Sequence, residues 1–225
     1  MNRYYGDGAP DAPKDEDILA YVSDELQIAY KAKHILLKTV DTDKPIKDED
    51  GKATGKYEPL DDATVAQKKA TAEDILAQLQ AADDKEALFD ELMKEYSEDT
   101  DSSGNVNSPD GYEAKSGQMV AAFEEAALAL QPGQISGIVE STYGYHIILR
   151  LPIQAADYRE KYVSYLMSQR QQSWLEQFPV ETNDEFKKID PAAFYTQLTA
   201  LRTAVQAEVD AMQAENSGDS SSSSS

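Results

Sequence analysis

Tyr143-Gly-Tyr-His-Ile-Ile-Leu-Arg-Leu151 is short, apolar, rich in β-branched and aromatic residues, and follows a turn-forming Ser-Thr pair. A run of this length and composition reads as a buried strand rather than a helix. Tyr30-Lys-Ala-Lys-His-Ile-Leu-Leu37 has the same character, and its strand is expected from about Ile28 to Thr39. Each run holds one histidine, His146 and His34, and the chain has only these 2. Three chemistries compete for such a pair. A metal would need a third ligand, and with no cysteine and no further histidine only carboxylates remain. A nucleophilic triad needs an activated serine beside its base, yet no Gly-x-Ser-x-Gly elbow occurs. A hydrogen-bonded structural or active-site pair is preferred, and neither a metal nor a cofactor is expected.

The segments around these strands read as follows. Asp15 to Val22, acidic at its start and apolar at helical spacing, predicts a short helix. Asp41 to Asp62 carries eight acids and four lysines without apolar periodicity, so it reads as an inserted loop or hairpin of net charge −4. Thr64 to Gln80 and Lys85 to Tyr96 are predicted helices, the second with Leu88, Phe89, Leu92 and Tyr96 on one face. Ser97 to Gly111 is a polar loop. A third helix is expected over Met119 to Leu130, closed by Pro132-Gly133, before strands over Ile135 to Ser141 and Gly144 to Leu151.

Beyond Pro152, Asp157 to Phe178 reads as a long amphipathic helix. Its stripe begins with Tyr158, Tyr162, Tyr165 and Leu166 and continues through Trp174, Leu175 and Phe178. Phe178-Pro-Val-Glu-Thr182 is a break. Asp190 and Pro191 then supply the cap and first turn of a helix running to about Ala214. The serine-rich end, 215–225, reads as disordered. The fold class is therefore α+β, with a core over 28–152, helical extensions over 1–27 and 153–214, and no internal repeat.

Composition narrows the function. The net charge of −21 comes from 42 acids against 21 bases. Binding to nucleic acid or to an anionic membrane surface needs clustered lysine and arginine, so both are excluded. The absence of cysteine excludes disulfides and thiolate metal sites. No apolar run approaches the roughly 20 residues that span a bilayer. No signal peptide is evident, and the loop-like stretch from Met1 to Pro13 leaves room for a targeting segment already removed.

Four segments, in order, resemble parvulin-type peptidyl-prolyl isomerases. Lys31-Ala-Lys-His-Ile-Leu-Leu37 is similar to their opening strand, and Glu95-Tyr-Ser-Glu-Asp99 to their mid-domain loop. Gly117-Gln-Met-Val-Ala-Ala-Phe through Ser136 is similar to their helix and turn, and Tyr143 to Arg150 to their last strand. The flanking helices, including Asn183 to Phe194, extend the likeness to the PrsA-like extracytoplasmic foldase lipoproteins of Gram-positive bacteria. The N-terminal half of their chaperone module is mostly absent here. The implied fold is a parvulin, FKBP-like domain with a four-stranded antiparallel sheet between helical segments.

The resemblance also implies a site. Met119 and Phe123 match the proline-pocket positions, four apart on one helix face, and Gln118 lies beside them. Packing alone would read that pair as ordinary core. His34 and His146 match a histidine pair on neighbouring strands that orients and tunes the site. Asp99 matches an Asp-or-Cys position, and Ser141 a small hydroxyl beside the pair. Ala114 falls where an aromatic pocket wall is usual, after an altered Asn107-Ser-Pro-Asp-Gly-Tyr-Glu-Ala114 stretch.

The implied function is isomerisation of Xaa-Pro bonds in unfolded exported proteins. The insertion lacks arginine, so no preference for phosphorylated substrates is expected. The implied location is extracytoplasmic, with any membrane anchor on a removed N-terminal lipid segment. The long helices either pack within the chain or pair two copies as a homodimer. Two rivals stand beside this reading: a non-catalytic holdase, which the altered stretch ending at Ala114 favours, and an extracellular scaffold, which the acidic surface and serine tail favour.

Overall fold

A computed structural model describes residues 11–178 and 190–218, with the isolated positions 5, 9 and 188; side chains are described to Asp210. The elements in order are α1 (Asp15–Asp24), β1 (Tyr30–Lys38), β2 (Val40–Lys47), β3 (Ala53–Pro59), α2 (Asp62–Ala81), α3 (Lys85–Tyr96), β4 (Tyr112–Ala114), α4 (Ala121–Ala129), β5 (Val139–Glu140), β6 (Gly144–Leu151), α5 (Ala155–Gln177) and α6 (Pro191–Gly218). The chain divides into two compact units, residues 1–167 and 168–225.

The two histidine-bearing runs form the centre of a four-stranded sheet of order β4-β1-β6-β5, antiparallel throughout. The β1–β6 register sets His34 opposite Ile148 and Leu36 opposite His146. Strand side chains alternate between faces, so the two imidazoles are diagonal neighbours on the same face.

Both faces are covered, which is why these strands read as nearly unbroken apolar runs. Ile35, Leu37, Ile147 and Leu149 pack against Ala72, Ile75 and Leu79 of α2 and Phe89, Leu92 and Met93 of α3. On the opposite face, Tyr30, Ala32 and Ile148 pack against Phe123 and Ala127 of α4. A third cluster joins Ile18 and Val22 of α1 to Ala155 and Tyr158 of α5.

Local chemistry fixes the element ends. Asp61 caps α2 by accepting from the Thr64 amide at 2.9 Å, and Asp84 caps α3 by accepting from the Ala87 amide at 3.1 Å. Gly144 opens β6 at φ +146°, where a Cβ would collide with the Leu37 carbonyl oxygen, so only glycine fits. Gly111, at φ +95°, sits against the Ala32 carbonyl and lets β4 close onto β1.

Of the loop or hairpin expected over Asp41 to Asp62, the chain forms the hairpin, β2–β3, running into α2. Other elements differ from the sequence expectation. The strand expected over Ile135 to Ser141 is reduced to Val139–Glu140, with a single bridge from Ile135 to Leu149. Ser136 explains part of the break, because its Oγ accepts from the Ile148 amide at 2.9 Å and competes with a regular ladder. Strand β4 was not expected, since three residues after a polar loop carry no periodic signal. Helix α4 starts at Ala121, two residues later than expected. The break after Phe178 and most of the serine tail lie outside the described residues, while α6 continues to Gly218.

Candidate active site

Strand β4 pairs with β1 only over Tyr30 to Ala32. Further along, the segment after α3 takes over that edge. The Leu36 amide donates to Ser97 Oγ at 3.2 Å, the Glu98 amide donates to the Leu36 carbonyl at 2.8 Å, and the Lys38 amide donates to Glu98 Oε2 at 2.7 Å. This lacing delivers Asp99 to the His34 ring.

A chain of hydrogen bonds then crosses the sheet. Asp99 Oδ2 lies 2.7 Å from His34 Nε2, and His34 Nδ1 lies 3.1 Å from His146 Nδ1. His146 Nε2 lies 2.7 Å from Ser141 Oγ, which accepts from the Tyr143 amide at 3.1 Å. Asp99 also accepts from Tyr112 Oη at 2.7 Å and from Asn107 Nδ2 at 2.8 Å.

With both rings neutral, the donors order in one direction. Asp99 accepts, so His34 carries its proton on Nε2 and accepts on Nδ1. His146 then carries its proton on Nδ1 and accepts from the Ser141 hydroxyl on Nε2. Every ring nitrogen has a partner, which a metal would have to displace. Among the described residues no cluster of three or more His, Cys, Asp or Glu side chains is grouped to hold a metal ion.

Burial tunes these groups. It pushes His146 down from its ordinary 6.5 to about 3, with the neighbouring His34 adding to the effect. Burial alone would raise Asp99, but hydrogen bonds from His34, Asn107 and Tyr112 outweigh it and hold the carboxyl far below the usual range. Burial, followed by the bond to Asp99, pushes the Tyr112 phenol up.

Phe123 sits over the pair. Its ring meets His34 edge-on at 5.3 Å and His146 at 5.5 Å, while the two imidazoles stack at 15°. Tyr112 approaches His34 edge-on at 5.6 Å. Together they bound a cavity of about 370 Å³ whose wall includes Met119, Val120 and Leu36 and whose rim includes Lys38, Thr42 and Tyr143.

The structure brings His34, His146, Asp99, Met119, Phe123 and Gln118 to this cavity, with Ser141 on the far nitrogen of His146. Met119 reaches it from the turn before α4, because the helix begins after the Val120 cap, so the shared-helix-face argument does not describe it. Gln118 is exposed, and its Oε1 accepts from the Lys115 amide at 3.0 Å, which fixes that turn.

Ala114 requires a correction. It is fully buried, opposite Tyr30, in the cluster beneath Phe123, and it does not line the cavity. The aromatic wall is Tyr112, two residues earlier and on the same face of β4. The sequence offered that tyrosine directly after Gly111. Register on β1 separates wall from core, with Tyr112 opposite Ala32 beside His34 and Ala114 opposite Tyr30. Asn107 was also missed, since a polar loop gives no sign of which amide turns inward.

The arrangement is a small apolar-walled cavity on a polar floor of four linked side chains. The chain matches the family "Rotamase: PPIC-type PPIASE domain" over residues 34–151, more than half of its length, and it belongs to that family. "Foldase protein PrsA" of Halalkalibacterium halodurans is 49% identical over 79 residues, which cover 35% of this chain and 22% of that protein. The Bacillus subtilis protein of the same name is 45% identical over 84 residues, covering 37% and 26%. "Putative peptidyl-prolyl cis-trans isomerase dodo" of Drosophila melanogaster is 50% identical over 66 residues, covering 29% and 38%. The chain therefore spans well under half the length of these curated relatives.

Proposed function

We propose that this protein is a peptidyl-prolyl cis/trans isomerase and foldase for unfolded, exported polypeptides. Rotation about an Xaa-Pro bond has a barrier of roughly 18–20 kcal/mol and requires no bond to break. The enzyme must therefore bind the twisted amide better than either planar form. Twisting removes resonance, so the carbonyl loses partial charge and the state becomes less polar. An apolar wall of Met119, Phe123 and Leu36 favours that state. The Asp99–His34–His146–Ser141 chain holds the floor and Phe123 in one geometry, so little reorganisation is needed as the bond turns.

One observation carries this reading: the cavity of about 370 Å³ closed by a buried, hydrogen-bonded histidine pair under Phe123. Among the described residues Lys38, at the rim, is the only lysine or arginine lining the cavity, and Lys44 of the hairpin pairs with Asp41 at 2.9 Å. Unphosphorylated substrates fit that charge pattern. The altered stretch ending at Ala114 favours a holdase less once Ala114 lies in the core and Tyr112 of the same stretch lines the cavity. Likeness to PrsA foldases supports a place outside the cytoplasmic membrane. Among the described residues no helix is long and apolar enough to cross a membrane.

The test is isomerisation of unphosphorylated Xaa-Pro tetrapeptides. Wild type should exceed the buffer rate, and Met119→Ala should lower kcat/KM at least about tenfold, or about 1.4 kcal/mol. A wild-type rate equal to buffer overturns the enzyme reading.

A further inference from the structure

Away from the proline cavity, α1 and the first half of α5 form a shallow groove of about 230 Å³, lined chiefly by Asp17, Tyr21, Asp24, Glu25, Tyr162 and Tyr165. Three aromatic rings pack together there. The centroid separations are 4.9 Å for Tyr21–Tyr165, 5.3 Å for Tyr21–Tyr162 and 6.3 Å for Tyr162–Tyr165. Tyr165 Oη donates to Glu25 Oε1 at 3.1 Å, which fixes one ring against one acid. All three rings are half-buried, so each leaves part of its surface to the groove.

Two independent features give this groove one charge preference. The first is the ring set, whose π faces attract cations. The second is the end of α1. Its carbonyl dipoles point partial negative charge outward, a position where a basic residue is stabilising. The last turn of α1 has no basic residue, and Asp24 and Glu25 stand there instead. Among the described residues no lysine or arginine lines the groove. A metal ion does not fit, because the three carboxylates are not grouped closely enough to hold one. Carboxylates spread around a set of mutually tilted aromatic rings suit a long-stemmed organic cation.

We propose that this groove takes the lysine or arginine side chain of a bound polypeptide. The proposal rests on the reading that the chain handles unfolded polypeptides, and it gives such a client a second point of attachment. Holding the client there raises the effective concentration of its prolines at the isomerase cavity without any change in that cavity.

The experiment is fluorescence anisotropy with a labelled, proline-free Gly-Ser peptide carrying two arginines, set against its citrulline counterpart. Tyr165→Leu should weaken arginine-peptide binding about two- to fivefold by removing one exposed ring. Asp24→Asn with Glu25→Gln should weaken it at least as much. Asp48→Asn with Glu49→Gln removes the same charge from the hairpin and should bind as wild type does. All three proteins should isomerise a tetrapeptide at the wild-type rate.

The proposal is overturned if the arginine peptide does not bind, if the citrulline peptide binds equally well, or if the hairpin variant loses as much as the groove variant. That last result would reduce the effect to general attraction by an acidic chain. Isomerisation absent from wild type would sink the proposed function, whereas these binding comparisons read the groove alone.

Discussion

Strands β1 and β6 present two faces of the same backbone, and the faces do different work. One carries Ile35, Leu37, Ile147 and Leu149 into α2 and α3, mostly hydrocarbon on hydrocarbon. The other carries His34 and His146 under Phe123, with Asp99 and Ser141 at the two ends of a polar chain. Adjacent residues on one strand thus serve stability and chemistry separately. A period of two makes that separation possible, because a change at one position leaves its neighbour's surroundings on the far side of the sheet.

The largest test of this division is Ile147→Ala. Ile147 is 1% exposed and packs only on the hydrocarbon face, next in sequence to His146. The substitution should cost about 3 kcal/mol of stability by denaturant unfolding. Isomerisation per folded molecule should stay at the wild-type value. A fall in that rate would show that the two faces are coupled.

The next test uses pH. The folded pKa of His146, about 3, lies below its ordinary 6.5, so the folded state resists a proton that the unfolded chain accepts. Its contribution is complete above about pH 6.5 and is lost as the pH falls toward 3. Stability should drop by about 2 kcal/mol between about pH 7 and pH 5 through this residue. Carboxylates add their own dependence at lower pH, so the comparison is between wild type and His146→Leu, whose curve should be flatter over that interval. Identical curves would refute the buried neutral ring.

Tyr112→Phe is the smallest perturbation. It keeps the ring against His34 and removes only the hydroxyl that donates to Asp99. A hydrogen bond to a charged acceptor is worth about 1.5 kcal/mol or more, and the loss should appear in both unfolding free energy and kcat/KM. An unchanged rate would reduce Asp99 to a structural acid.

Much of this arrangement was legible along the chain. The two apolar runs, their histidines, the helices over 85–96 and after 152, and the family likeness all follow from local composition and order. Side chains whose role depends on the neighbouring strand were not legible. Ala114 and Tyr112 share one face of β4, and only their register against β1, opposite Tyr30 and opposite Ala32, distinguishes core from wall. Met119 was assigned to a helix face, although it stands in the turn before the helix. Asn107 looked like any polar loop residue until the loop folded back onto Asp99.

The sequence by itself determined which segments are buried and that its two histidines sit within them, because burial and period are properties of a short stretch of chain. Tertiary structure alone decided that the histidines meet, which nitrogen faces which partner, and that a tyrosine rather than an alanine closes the cavity. Those outcomes depend on register across a sequence separation of 112 residues, and register is set by the packing of both sheet faces together.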